Sequence, residues 1–235
     1  MCPAVVWVHG GGWQLGDKAT RETNVKAAYF VNEGYVFVSV NYRLTADDND
    51  IRWPDFGIDV ATAASWVIEN AADIGVDPTR VALIGHSSGA HLVSIVGTNP
   101  DLLAEAGRQR GDIACVASLD SATYDMTDPP SFERDIVQAA FGDDPDVLAD
   151  GSPTLQAIAH AGDGPLPDFL IVTRGRDVRL EGSARFESAL RDAGASVSLH
   201  DASPYDHRDV NVQLGEPGES NVTPVVTTFL ADCTA

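Results

Sequence analysis

The chain is predicted to form an α/β domain, with a mostly parallel sheet covered by helices on both faces. Short valine-rich runs alternate with longer amphipathic stretches along the 235 residues. The runs are apolar throughout, without the polar alternation of a half-exposed strand, as expected of strands buried on both faces. Strand–helix alternation of this kind builds parallel sheets. The residues with chemical potential all fall just after the predicted strands, where sites form in such sheets.

Ala4 to Val8 is the first strand, broken by His9-Gly10-Gly11-Gly12-Trp13. Lys18 to Val31 has helical spacing and stops at Gly34. Tyr35 to Val40 is the second strand. A helix opens at Pro54-Asp55, with Phe56, Val60, Ala63, Ala64, Val67 and Ile68 on one stripe. Asp77-Pro78-Thr79-Arg80 is expected to turn, and Val81 to Ile84 to form the third strand. A helix from Ser88 to Val96 follows, then a strand from Ile113 to Leu119. Residues 120–167 are the least regular part, with one short helix near Phe132 to Ala140. We take them as a short cap-like insertion within a single domain spanning 1–235. The strand Phe169 to Val172, the helix Glu181 to Ala193, the strand Val197 to His200 and the helix Asn221 to Ala231 complete the chain.

Composition removes several function classes. Asp and Glu number 35 against 15 Lys and Arg, a net charge of −20, which repels nucleic acid and anionic membranes. Solubility explains this surface, and a high-salt habitat is the sharper explanation. No apolar run approaches the roughly 18 residues that would cross a bilayer. The compartment stays open between cytoplasm and secretion, and a homodimer is left open. Cys2, Cys115 and Cys233 form no Cys-x-x-Cys pair, so no metal site or cofactor is expected. Cys115 reads as a small core residue, with a Cys2–Cys233 bridge as the one pairing considered.

The chemistry concentrates in two glycine-framed loops. Gly85-His86-Ser87-Ser88-Gly89 joins a strand directly to a helix. Such a turn is sharp and needs small flanking residues; it lifts the serine hydroxyl above the sheet at a helix N-terminus. Ser87 is the expected nucleophile. Gly11 and Gly12, with the Ser88 backbone, are the expected oxyanion donors, because glycine lets N–H groups turn inward toward a ligand. Trp13 and His86 are assigned to substrate binding, although Trp13 fits the core equally well. His9 is expected to brace the loop. Of six histidines, His207 is the expected base, lying after the last strand and before the final helix. The acid is expected after the fifth strand, at Asp177. Asp206 is set aside because it is adjacent to His207 in sequence. The order Ser87, Asp177, His207 is that of α/β-hydrolases.

On these residues the chain resembles α/β-hydrolase-fold serine esterases of the His-Gly-Gly-Gly-Trp branch. These include carboxylesterases related to feruloyl and acetyl-xylan esterases, hormone-sensitive-lipase-like enzymes and kynurenine formamidases. Ser39-Val40-Asn41-Tyr42-Arg43, Leu119 to Asp125 and Gly215-Glu216-Pro217-Gly218 extend the resemblance over nearly the whole chain. Two departures stand out. Members usually carry strands before the one at Ala4, so N-terminal strands are expected to be missing. The Arg174-Gly175-Arg176-Asp177 segment is also shorter than the usual acid motif. The resemblance implies hydrolysis of small-molecule carboxylic esters, short in the acyl part. An arylformamidase on the same machinery is the nearest alternative, and a non-catalytic binding module the alternative of another class.

Overall fold

A computed structural model describes all residues except Arg176, together with every side chain but that of Asp177. Six parallel strands form one sheet in the order β2-β1-β3-β4-β5-β6. They are β1 (Cys2–Val8), β2 (Val36–Val40), β3 (Val76–His86), β4 (Cys115–Leu119), β5 (Asp168–Thr173) and β6 (Val197–Asp201). Strand order reverses beside β1, so β1 and β3 lie next to each other and deliver their two loops to the same place.

Side-chain alternation along the strands builds two cores. Val6, Val8, Leu83, Val116 and Ile171 face one side, packed with α2 (Asp55–Glu69) and α3 (Ser88–Thr98). Trp7, Ile84, Ala117 and Leu170 face the other, with Phe30 of α1 (Arg21–Asn32) and Val226 and Leu230 of α10 (Thr223–Cys233). Central strands carrying apolar residues on both faces therefore need no polar alternation.

Three features differ from expectation. The Asp77–Arg80 turn lies inside β3: Val76 pairs with Cys2 and Val81 with Ala4, so the intervening residues bulge out of the ladder. The 120–167 region holds three helices, α5 (Arg134–Phe141), α6 (Pro145–Asp150) and α7 (Pro153–Ala159). Pro145 and Pro153 sit in first helical turns, where the missing N–H costs nothing. Short helices α4 (Pro100–Glu105) and α9 (His207–Val212) flank α3 and follow β6, and α8 (Asp177–Asp192) follows β5. Finally, Cys115 is not a lone core thiol. It is bonded to Cys233, tying β4 to the end of α10, while Cys2 is exposed and free.

Candidate active site

The elbow forms because β3 must turn into α3 within one residue. Ser87 takes φ 57° and ψ −123°, a conformation costly for any residue with a Cβ. Gly85 permits the turn, since a Cβ there would collide with the Gly89 carbonyl. Ser87 N–H donates to Leu119 O at 3.0 Å, which fixes the elbow to the end of β4.

The structure brings Ser87 and His207 together. Ser87 Oγ lies 2.9 Å from His207 Nε2, across a sequence separation of 120. His207 opens α9, whose N-cap is Asp206, with the Asp206 carboxylate accepting from Asp209 N–H at 2.8 Å. Asp206 is thus occupied in capping. On its other side, His207 Nδ1 lies 2.6 Å from Asp120 Oδ2. The side chain of Asp177, the acid expected from sequence, lies outside the described residues. Asp120 follows β4 and is completely buried; sequence reasoning did not select it. Its only local signal was its place directly after a predicted strand.

Burial opposes ionisation of Asp120 more than any other single influence. The hydrogen bond from His207 and the charges of Arg179, His207 and Arg174 together outweigh it, holding the carboxyl below its ordinary range. His86 is buried beneath the elbow, with its ring 4.5 Å from that of His207 and its Nε2 2.9 Å from His207 O. Burial, then the neighbouring His207, pushes its pKa down to about 3. His86, Asp120 and His207 offer ligand atoms within 4.8 Å of one another. Arg174 Nε and Arg179 Nη1 already sit on the Asp120 carboxylate, at 2.7 and 3.2 Å. A metal cation would be placed against two guanidinium charges, so the cluster fits a hydrogen-bonded relay better than a metal centre.

The glycine loop lines the same cleft as His207. Gly11 has φ 132°, a backbone region that side chains avoid, and a Cβ there would strike the Leu15 carbonyl. Among the described residues, neither the Gly11 nor the Gly12 N–H meets a protein acceptor. His9 sits at the base of the loop, stacked on Tyr42 at 4.5 Å, and Tyr42 OH donates to His9 O at 3.1 Å. Tyr42 OH also lies 3.3 Å from Ser88 Oγ, linking the loop to the first residue of α3. Trp13 does not face the cleft. It is buried against Phe56, Phe141 and His91, because φ 60° turns it away from the glycines into the aromatic cluster under the loop. His91 Nε2 reaches Gly151 O at 2.8 Å in the same cluster.

A cleft of about 460 Å³ opens at Ser87. Its walls include Gly11, Leu15, Thr20, His86, His207 and Asn211. No helix among the described residues is long and apolar enough to cross a membrane.

Comparison with known proteins agrees with this architecture. Carboxylesterase NlhH of Mycobacterium tuberculosis is 32% identical over 236 residues, covering 94% of this chain and 70% of that protein. Esterase LipQ of the same organism is 28% identical over 217 residues, but the chain spans only 49% of its length. Among solved structures, a thermophilic esterase from Thermogutta terrifontis superposes with TM-score 0.74 at 24% identity, over 98% of this chain and 80% of that one. A hyperthermophilic esterase from Pyrobaculum calidifontis gives 0.77 at 24% identity, over 99% and 76%. These likenesses establish the α/β-hydrolase fold. A family model described as BD-FAE matches residues 1–134, more than half of the chain and the part carrying both the glycine loop and the elbow, so the chain belongs to the BD-FAE family.

Proposed function

We propose that the chain hydrolyses carboxylic esters through a Ser87–His207 pair and an acyl-enzyme. The observation that carries this reading is the 2.9 Å approach of Ser87 Oγ to His207 Nε2 on a strained elbow. His207 takes the hydroxyl proton as Ser87 attacks the acyl carbonyl. The Gly11, Gly12 and Ser88 N–H groups receive the developing oxyanion, a contribution worth about 10²–10³ in rate per donor. His207 then protonates the leaving alcohol. Water repeats the sequence on the acyl group and frees Ser87. The curated relatives bear the names of carboxylesterases and esterases.

The acyl part is short in this reading. This is supported by the lining of the cleft at Ser87, to which 120–167 contributes none of the described residues; α7 packs on α3 and α8, and α6 on α7, while Ile136 of α5 comes close to Gly12. A cleft of about 460 Å³ suits a short acyl chain better than a fatty one.

A panel of p-nitrophenyl acetate, butyrate and palmitate tests both points. Turnover is expected to be fastest on the short esters. Ser87→Ala should lose about 10⁴-fold or more in kcat, together with labelling by a fluorophosphonate probe. Undiminished turnover by S87A would sink the assignment, and a preference for palmitate would overturn the short-acyl reading.

A further inference from the structure

We propose that Asp120, at the end of β4, is the positioning residue of His207, and that Arg174 and Arg179 are built into the site to hold it. The inference rests on the Ser87–His207 reading above. It draws the third member from the end of β4, where the sequence points to the end of β5, and it keeps the order nucleophile, acid, base.

Both oxygens of Asp120 are committed. Oδ2 accepts from His207 Nδ1–H at 2.6 Å and from Arg174 Nε–H at 2.7 Å, while Oδ1 accepts from Arg179 Nη1–H at 3.2 Å. A buried carboxylate without such partners would take up a proton instead of remaining an anion. The backbone is as constrained as the side chain. Asp120 N–H donates to Val172 O at 2.7 Å, and φ is 54°, a left-handed conformation that a non-glycine residue holds at a cost of roughly 1 kcal/mol. That twist comes directly after the last β4 residue. Arg174 follows β5 and Arg179 lies in the first turns of α8. The segment after β5 therefore delivers two cations to the site, and the segment before it delivers the anion.

This arrangement has a chemical consequence. A carboxylate on Nδ1–H fixes the tautomer that leaves the Nε2 lone pair facing Ser87, and it stabilises the imidazolium formed during attack. Two guanidinium groups on the same carboxylate share its charge, so they stabilise the imidazolium less than a lone aspartate would. Other groups around His207 are His86 from β3, held neutral by burial, and Glu133 before α5, whose pKa burial raises. The charge of Lys26, whose Nζ lies over the Trp7 ring, also acts on His86. Removing one guanidinium should therefore make His207 easier to protonate and move the acid limb of activity to higher pH.

The test compares pH profiles of kcat and kcat/KM on p-nitrophenyl acetate for the unmodified protein, S87A, H207A, D120N, D177N and R179M, each checked by thermal melting. D120N is expected to lose about 10³–10⁴-fold in kcat with KM changed only a few-fold. D177N is expected to lose less than tenfold. R179M should keep a folded protein and shift the acid limb upward by about half a pH unit or more. If D120N does not fold, the R179M limb decides alone. The inference fails if D120N stays within tenfold of the unmodified protein, if D177N carries the larger loss, or if the R179M limb does not move upward. Turnover surviving in S87A or H207A would instead overturn the esterase reading itself, so the two failures are distinguishable.

Discussion

The His86 imidazole is placed to hold His207, through the backbone carbonyl of that residue and against its ring. Burial pushes the His86 pKa down to about 3, so near neutral pH this imidazole carries no charge. One ring nitrogen then carries a proton and the other does not. Nε2 faces the His207 carbonyl at 2.9 Å and must be the donor. The ring thus clamps the backbone of the base without adding a positive charge beside it. His86→Ala is expected to lower kcat by about 10–100-fold on p-nitrophenyl acetate, with KM nearly unchanged, because a small misplacement of a reacting group is enough to cost this much. His86→Asn, which restores a donor, should recover part of the loss. A His86→Ala enzyme with undiminished kcat would refute the clamp. At this scale the sequence speaks unevenly. Ser87 is legible because its glycine frame is local: the close approach of Gly85 to the Gly89 carbonyl, which a Cβ would prevent, involves only a few residues. Asp120 is not, since its partners His207, Arg174 and Arg179 are 87, 54 and 59 positions away. Trp13 could serve as wall or core until the φ of the loop decided it.

Elements add a long-range tie that no local pattern displays. The Cys115–Cys233 bond spans 118 positions and joins the middle of the sheet to the terminal helix. Cys115 sits in an all-apolar strand, which by itself is equally compatible with a buried thiol. The helix α10 packs Val226 and Leu230 on the sheet, so the bond closes a large loop around an already buried layer. Cross-links of this kind restrict the unfolded chain and typically contribute about 2–4 kcal/mol. Cys233→Ser, or reduction under conditions that open the bond, is therefore expected to lower Tm by roughly 5–15 °C. The check is a melting curve with and without reductant, in which the variant should lose its sensitivity to reductant. An unchanged Tm in C233S would mean that packing alone holds α10. The strands were readable because burial on both faces leaves a continuous apolar run. The helices α6 and α7 were not, because Asp144-Pro145 and Ser152-Pro153 look like breakers until they are seen to start helices.

Across the whole molecule the dominant fact is charge. Thirty-five acidic residues face 15 basic ones, a net charge of −20. Several of the cations are already engaged: Arg43 with Asp55 and Asp59, Arg174 and Arg179 with Asp120, and Arg191 with Glu187. Lys26 is buried over the Trp7 ring, and burial lowers its pKa to about 8. Most carboxylates therefore repel one another across solvent, which destabilises the compact state. This repulsion reaches about 10 Å at 0.1 M salt but only about 3 Å at 1 M. Raising NaCl from 0.1 to 1 M should accordingly increase Tm, by roughly 3–10 °C. The buried contacts at Asp120 are screened much less than surface charges, so kcat on an uncharged ester should change far less than Tm over the same range. A Tm that stays flat or falls with salt would show that the acidic surface is not under significant repulsive strain. A parallel fall in kcat would show that salt reaches the relay between Asp120 and His207, contrary to its burial.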